Sequence, residues 1–211
     1  MVGSAEILRL PHRRDRGDDT ARRAVESHWA ALDAGRVPYR DDVDPAALGC
    51  ALDRVLVIER IAPRQARIRL AGQRIAALQG CELRGMPLSC LLAPASRSGL
   101  GDGLETLFDT PARLDLTLEW SRRAFRSPLT AGLTLLPLRD RAGQVTRALG
   151  FFDLPHRLPA PPLRMAIAAT GHRPVEPGFT PRSADGPDFE RADRARDVLR
   201  RRRSFRLVDA G

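Results

Sequence analysis

The stretch VLVIERIAPRQARIRLA, residues 55–71, decides the fold. Val55–Ile61 is apolar and β-branched apart from Glu59 and Arg60, the signature of a strand. Ala62-Pro63-Arg64-Gln65 has turn composition, and Ala66–Ala71 returns with Ile68 and Leu70 alternating against Arg67 and Arg69. Two such runs joined by so short a turn make a β-hairpin, so the chain begins its core with antiparallel strands.

Downstream, Gly72–Leu92 reads as short helical pieces broken by Gly80, Gly85 and Pro87. A longer helix is expected over Pro94–Phe108, where Leu100, Leu104, Leu107 and Phe108 share a face. Leu114–Trp120 alternates Leu114, Leu116, Leu118 and Trp120 against polar residues. Leu129–Leu138, the turn Arg139–Gly143 and Val145–Leu154 then complete a second antiparallel set. Two strands, several short helices and three strands make an α+β core with one sheet and its helices on one face.

Working outward from that core (48–154), residues 1–19 are charged and aperiodic, an arm. Residues 20–47 hold a helix with Val25, Trp29 and Leu32 on one face, Asp19 or Thr20 as cap and Gly35 as stop, followed by an acidic connector. Residues 155–187 contain 8 of the 17 prolines and read as an extended linker, in which Leu163, Met165 and Ile167 alternate and can add a short strand. Residues 188–211 form a basic tail. Asp188–Arg203 reads as an amphipathic helix with Phe189, Ala192, Ala195 and Leu199 on one face, and Arg200, Arg201, Arg202 and Arg203 at its dipole-negative end are expected to make the salt-sensitive contact with an anionic partner.

Composition sets the class. Of 211 residues 43% are hydrophobic, enough for a core, and no uninterrupted apolar run reaches the length of a membrane span. The first twenty residues hold Arg9, Arg13, Arg14 and Arg16 without a signal-peptide core, so a cytoplasmic protein is expected. All 35 basic residues are Arg and the net charge is +9, which favours contact with anionic partners. Residues 45–155 and 156–211 each hold +5, at higher density in the tail. Cys50, Cys81 and Cys90 have no metal-ligand spacing with His12, His28, His156 or His172 and are expected as buried apolar groups.

Three blocks together resemble a known family. The first is Trp29-x-x-Leu32-x-x-Gly35 leading into Pro38-Tyr39-Arg40-Asp41-Asp42-Val43-Asp44-Pro45. The second is Arg67–Ile75 with Gly80-Cys81-Glu82-Leu83-Arg84-Gly85. The third is Leu135-Leu136-Pro137-Leu138 with Leu149-Gly150-Phe151. Over about residues 25–154 the chain resembles PAS domains, and in particular PAS-fold family 5, short PAS proteins of proteobacteria.

The resemblance implies a PAS fold with a five-stranded antiparallel sheet, and a sensory, regulatory or dimerising role without a reaction. It also implies a pocket between sheet and helices, here lined by Ile58, Ile68, Leu70, Ile75, Leu78, Leu104, Leu107, Leu135 and Phe151, with Arg69 and Arg74 at its mouth. Helices preceding PAS cores commonly pack across a dimer, so a homodimer with Val25, Trp29 and Leu32 at the interface is expected.

No cofactor is expected. Flavin needs side-chain amides, yet the chain has no Asn and only Gln65, Gln73, Gln79 and Gln144. Gly80-Cys81 lacks the pattern that follows the reactive cysteine of light-oxygen-voltage domains. Haem lacks a His on the Pro94–Phe108 helix, and Met86 beside Pro87 reads as packing. Asp41 and Asp42 read as a solvated turn, Asp44 as a helix cap, and Arg69 and Arg74 as partners of Glu82 or Glu59 or of an anionic ligand. Ser89 and Ser127 lack a nucleophile pattern, so no enzyme is expected. The reading is a non-enzymatic sensory or regulatory protein that binds a small molecule or a protein partner. One alternative is a ligand-free structural or dimerisation module. Another is a nucleic-acid-associated regulator acting through Arg200–Arg203, although nucleic acid is not the expected partner.

Overall fold

The computed structural model describes residues 16–32, 36–120 and 129–175. The expected tail helix with Arg200–Arg203, Gly35 and most of the N-terminal arm lie outside the described residues.

Six strands build one antiparallel sheet: β1 (Val55–Ala62), β2 (Gln65–Ala71), β3 (Ala112–Trp120), β4 (Leu129–Arg139), β5 (Val145–Asp153) and β6 (Ala166–Pro174), in the order β2-β1-β5-β4-β3-β6. Among the described residues four α-helices accompany them: α1 (Arg16–Leu32), α2 (Pro45–Leu48), α3 (Gln73–Ala76) and α4 (Arg97–Asp109). The hairpin closes on Ala62 opposite Gln65, and β1 then pairs with β5 from Val55–Phe151 to Glu59–Arg147.

The sheet is covered on both faces, which is why β4 and β5 are apolar at consecutive positions instead of alternating. The inner face carries Leu56, Ile58, Ile68, Leu114, Leu116 and Leu135 against Ile75 and Leu78 and against Leu100, Leu104 and Leu107 of α4. The outer face carries Val55, Val57, Leu136, Leu138, Leu149 and Phe151 against Ala21, Val25 and Trp29 of α1, with Val43, Leu48 and Ala51. Helices are therefore not confined to one face. Helix α1 begins at Arg16, so Asp19 and Thr20 lie inside it and do not cap it. Asp44 does cap α2, its Oδ1 accepting from the Ala46 amide at 2.9 Å.

The sheet has six strands where five were expected. β6 pairs with β3 from Ala112–Pro174 to Glu119–Ala166. The segment before it crosses the helical layer: the Leu163 amide donates to the Leu78 carbonyl at 2.7 Å and the Met165 amide to Leu91 at 3.0 Å. Leu163 and Met165 are buried and Ile167 packs beside them, as their alternation predicted. The stretch read as linker thus holds a strand and part of the core.

The thiols also differ from expectation. Cys50 and Cys81 are exposed and Cys90 is half-buried.

Candidate functional site

The space between the inner face and the α3–α4 layer is where the sequence placed a pocket. Ile58, Ile68, Ile75, Leu78, Leu104, Leu107 and Leu135 do converge there, all fully buried. They fill it. A Cβ added to Gly150 would stand 2.5 Å from Leu56 Cδ2 and 2.9 Å from Leu135 Cδ2, so these two leucines already occupy the volume above β5. On the opposite wall, a Cβ at Gly103 of α4 would meet Leu114 Cδ2 at 3.0 Å. At Gly103 helix and sheet are as close as side chains allow.

Two expected lining residues point elsewhere. Val57 pairs with Leu70 but Ile58 pairs with Ile68, leaving Arg69 as an extra residue in β2. This bulge breaks the alternation, so Ile68 faces inward while Leu70 lies opposite outer-face Val57, 47% exposed. Phe151 belongs to the outer cluster under α1, and its neighbour Phe152 points inward in its place.

The two expected arginines do not guard a pocket mouth. Arg69 pairs with Glu59 on the outer face. Arg74 Nη2 donates to the carbonyls of Pro155 (2.7 Å) and His156 (3.3 Å), tying α3 to the segment after β5.

The residues expected at a dimer interface are covered within the chain. Val25 and Trp29 are buried against the outer face, Leu32 packs beside them, and Trp29 Nε1 donates to the Pro137 carbonyl at 3.1 Å. An ionic network holds α1 in place. Arg113 Nη2 reaches Glu26 Oε1 at 2.7 Å, Arg113 Nε reaches Asp115 Oδ2 at 2.8 Å, and Thr134 Oγ1 donates to Asp115 at 2.7 Å. Burial pushes the Asp115 and Glu26 carboxyls up, but Arg113, Thr134 and Arg22 hold both below their ordinary values.

At the far end of the hairpin, Glu59 is only 13% exposed and meets three guanidiniums: Arg67 Nε at 2.8 Å, Arg69 Nη2 and Arg147 Nη1. Burial alone would raise its pKa; hydrogen bonds from Arg69, Arg147 and Arg67 pull it down to about 2. Sequence reading offered Glu59 as one of two partners for Arg69 and had no signal for Arg147, which arrives from β5 through tertiary pairing.

Two cavities lie away from the inner layer. One of about 340 Å³ is lined by Tyr39, Asp41, Asp42, Arg139 and Arg141, and one of about 320 Å³ by Glu26, Trp29, Arg113, Leu136, Arg173 and Val175. Among the described residues no three His, Cys, Asp or Glu side chains form a metal-binding set, and no helix is long and apolar enough to cross a membrane.

The strand order, with two strands, short helices and three further strands before β6, decides the family together with one comparison. The family model PAS_5, a PAS domain, matches residues 18–153. The chain belongs to the PAS domain family. No curated protein gives a significant match. Among solved structures, this PAS protein is similar to the light-state aureochrome1 light-oxygen-voltage domain. That match has 15% identity and a TM-score of 0.37, covering 55% of this chain and 91% of the other. A light-oxygen-voltage domain studied with a flavin analogue matches at 19% identity and TM-score 0.35, covering 74% and 93%. A fungal light-oxygen-voltage photoreceptor domain matches at 18% and 0.38, covering 58% and 86%.

A flavin does not fit the residues present. Cys81 is turned to solvent, the Gln79 amide is bonded to the Leu163 carbonyl, and Leu56 and Leu135 fill the volume over Gly150. Trp120 Nε1 is buried at the β3 end of the inner layer without a hydrogen-bond partner among the described residues.

Proposed function

We propose that this PAS protein is a non-enzymatic sensory or regulatory protein of the cytoplasm that acts by binding a protein partner through its surface. The observation that carries this reading is the filled inner layer, with Leu56 and Leu135 packed over Gly150 where a pocket would open. The carboxylates displaced from ordinary titration support the absence of a reaction. Glu26, Asp41, Glu59 and Asp115 are each held ionised by arginines, the state of structural ion pairs and not of a poised acid. Burial pushes the Cys90 thiol up, away from a reactive thiolate. A homodimer, as the sequence suggests, would need a surface beyond Val25 and Trp29, which are covered by the chain's own sheet.

A second reading rests on Trp120. Its unpartnered buried indole N–H is a donor for a small acceptor-bearing ligand at that end of the inner layer. One experiment separates the two. Native mass spectrometry of the full chain, with an absorption spectrum, is expected to return the bare 23.2 kDa polypeptide and no visible band. A near-stoichiometric small-molecule adduct would overturn the surface-binding reading in favour of the second.

A further inference from the structure

We propose that the outer face of β2, β1 and β5, around Arg67, Arg69, Arg147 and Leu70, is the docking surface for an acidic protein segment. This rests on the partner-binding reading above and names the partner's chemistry. Helix α1 with Val43, Leu48 and Ala51 packs on Val55, Val57, Leu149 and Phe151 of this face, and among the described residues that cluster includes no side chain of the hairpin end. There the cross-strand row Arg67–Glu59–Arg147 and the bulged Arg69 lie on one surface. Three guanidiniums share a single carboxylate, leaving an excess of two positive charges. Arg67 and Arg69 are 39% and 42% exposed. Each guanidinium meets Glu59 through one nitrogen, and a guanidinium carries five N–H donors, so each keeps donors beyond that contact.

The geometry selects an extended acidic partner over a compact anion. Glu59 already occupies the focus of the three arginines and stays ionised down to about pH 2. A phosphate or other small anion therefore finds that focus taken, whereas carboxylates spaced along a peptide can each meet an outer guanidinium edge. Leu70, opposite Val57 and 47% exposed, and Ile61, two residues along β1 from Glu59 on the turn side and 43% exposed, add apolar side chains to either side of the arginine cluster along the hairpin. A segment with one apolar side chain among its acids matches both features. It must lie across the face and not extend the sheet. The free edge of β2 is covered by the 85–87 loop, through the Ile68 amide on the Met86 carbonyl (2.8 Å) and the Gly85 amide on the Ile68 carbonyl (2.7 Å).

The test uses the full chain and a fluorescein-labelled peptide of repeated Glu-Glu-Leu, followed by anisotropy at rising salt. Wild type is expected to bind it, to release it as salt rises, and to ignore the Gln-Gln-Leu counterpart. Arg69→Gln leaves Glu59 with Arg67 and Arg147, and Leu70→Glu changes an exposed side chain, so both variants are expected to stay folded, which their unfolding curves check. Each is expected to weaken binding about tenfold. A variant with Arg200, Arg201, Arg202 and Arg203 all changed to Gln is expected to bind as wild type does. Three results would overturn the proposal: no peptide binding by wild type, unchanged binding in Arg69→Gln and Leu70→Glu, or loss of binding only in the tail variant. Stronger, Arg69-dependent binding of single-stranded DNA would overturn it too, in favour of phosphate recognition. Any of these leaves the partner-binding reading standing, because its own test, the mass of the purified chain, does not involve this face.

Discussion

Gly150 is the position where the filled inner layer can be measured. The substitution Gly150→Ala places a methyl 2.5 Å from Leu56 Cδ2, 2.8 Å from Leu56 Cγ and 2.9 Å from Leu135 Cδ2. Relaxed carbon contacts lie at about 3.5–4.0 Å, so all three fall short by about half an ångström to one and a half. Leu56 and Leu135 are fully buried and have no solvent to move into. Overpacking of this kind costs about 1–3 kcal/mol, and the reduced freedom of the unfolded chain returns about 0.4–1 kcal/mol. The expected net loss is about 1–2 kcal/mol, a fall of roughly 2–8 °C in Tm for a chain of this size. Urea and thermal unfolding followed by circular dichroism read it directly. A double-mutant cycle makes the argument specific. Leu56→Ala alone should cost about 2–5 kcal/mol as a buried-leucine deletion. In that background the Gly150→Ala methyl enters vacated volume, so its cost is expected to vanish or reverse. If Gly150→Ala is neutral in wild type, or costs the same in both backgrounds, the two leucines do not fill that volume. The inner layer then has room for a ligand and the surface-binding reading loses its support.

Three further outcomes follow from named contacts. The Glu59 carboxyl is displaced from 4.5 to about 2, so its contribution is complete above about pH 4.5 and is lost as pH falls toward 2. Glu59→Gln is expected to cost about 1–2 kcal/mol near neutrality, moderated by the exposure of its partners, and to match wild type near pH 2 in urea titrations; a gap that persists there would contradict the ion-pair account. Trp29→Ala removes a buried indole and its bond to Pro137 and is expected to cost about 3–5 kcal/mol in chemical denaturation; a fully stable variant that merely changes sedimentation would instead place Trp29 at a subunit contact. Deleting residues 188–211 is expected to leave the core's unfolding midpoint in place, since the sequence sets them beyond the proline-rich stretch 155–187; a lower midpoint would show that Phe189 or Leu199 packs on the PAS domain.

Local periodicity made much of this fold legible. The hairpin at 55–71, the alternation from Leu114 to Trp120 and the Leu100–Phe108 face each repeat at the spacing of their own element, so burial is written into neighbouring residues. Helix α1 was legible for the same reason, through Val25 and Trp29. Its start was not, because Asp19 and Thr20 suit a cap as readily as a helical first turn. The site was less legible than the fold. Seven of the expected lining residues converge, yet no pattern in the chain says that they fill the space they surround.

What the sequence determined by itself was the order and type of the elements, because a strand's two faces or a helix's stripe depend on residues two to four apart. Only the tertiary structure decided the quantities that depend on pairing. Strand β6 was legible only at its start, through the alternation of Leu163, Met165 and Ile167; its continuation to Pro174 holds Ala, Gly and Pro residues of little strand preference, and its order comes from a backbone ladder with β3. Phe151 and Phe152 are adjacent and equally apolar, so the register of β5 between β1 and β4 alone assigned one to α1 and the other to the inner layer. The single-residue bulge at Arg69 turned Leu70 outward and placed Arg69 beside Arg67, Arg147 and Glu59. A side chain's face in a sheet has period two, so one unpaired residue reverses it, and that residue is set by the partner strand and not by its neighbours in the chain.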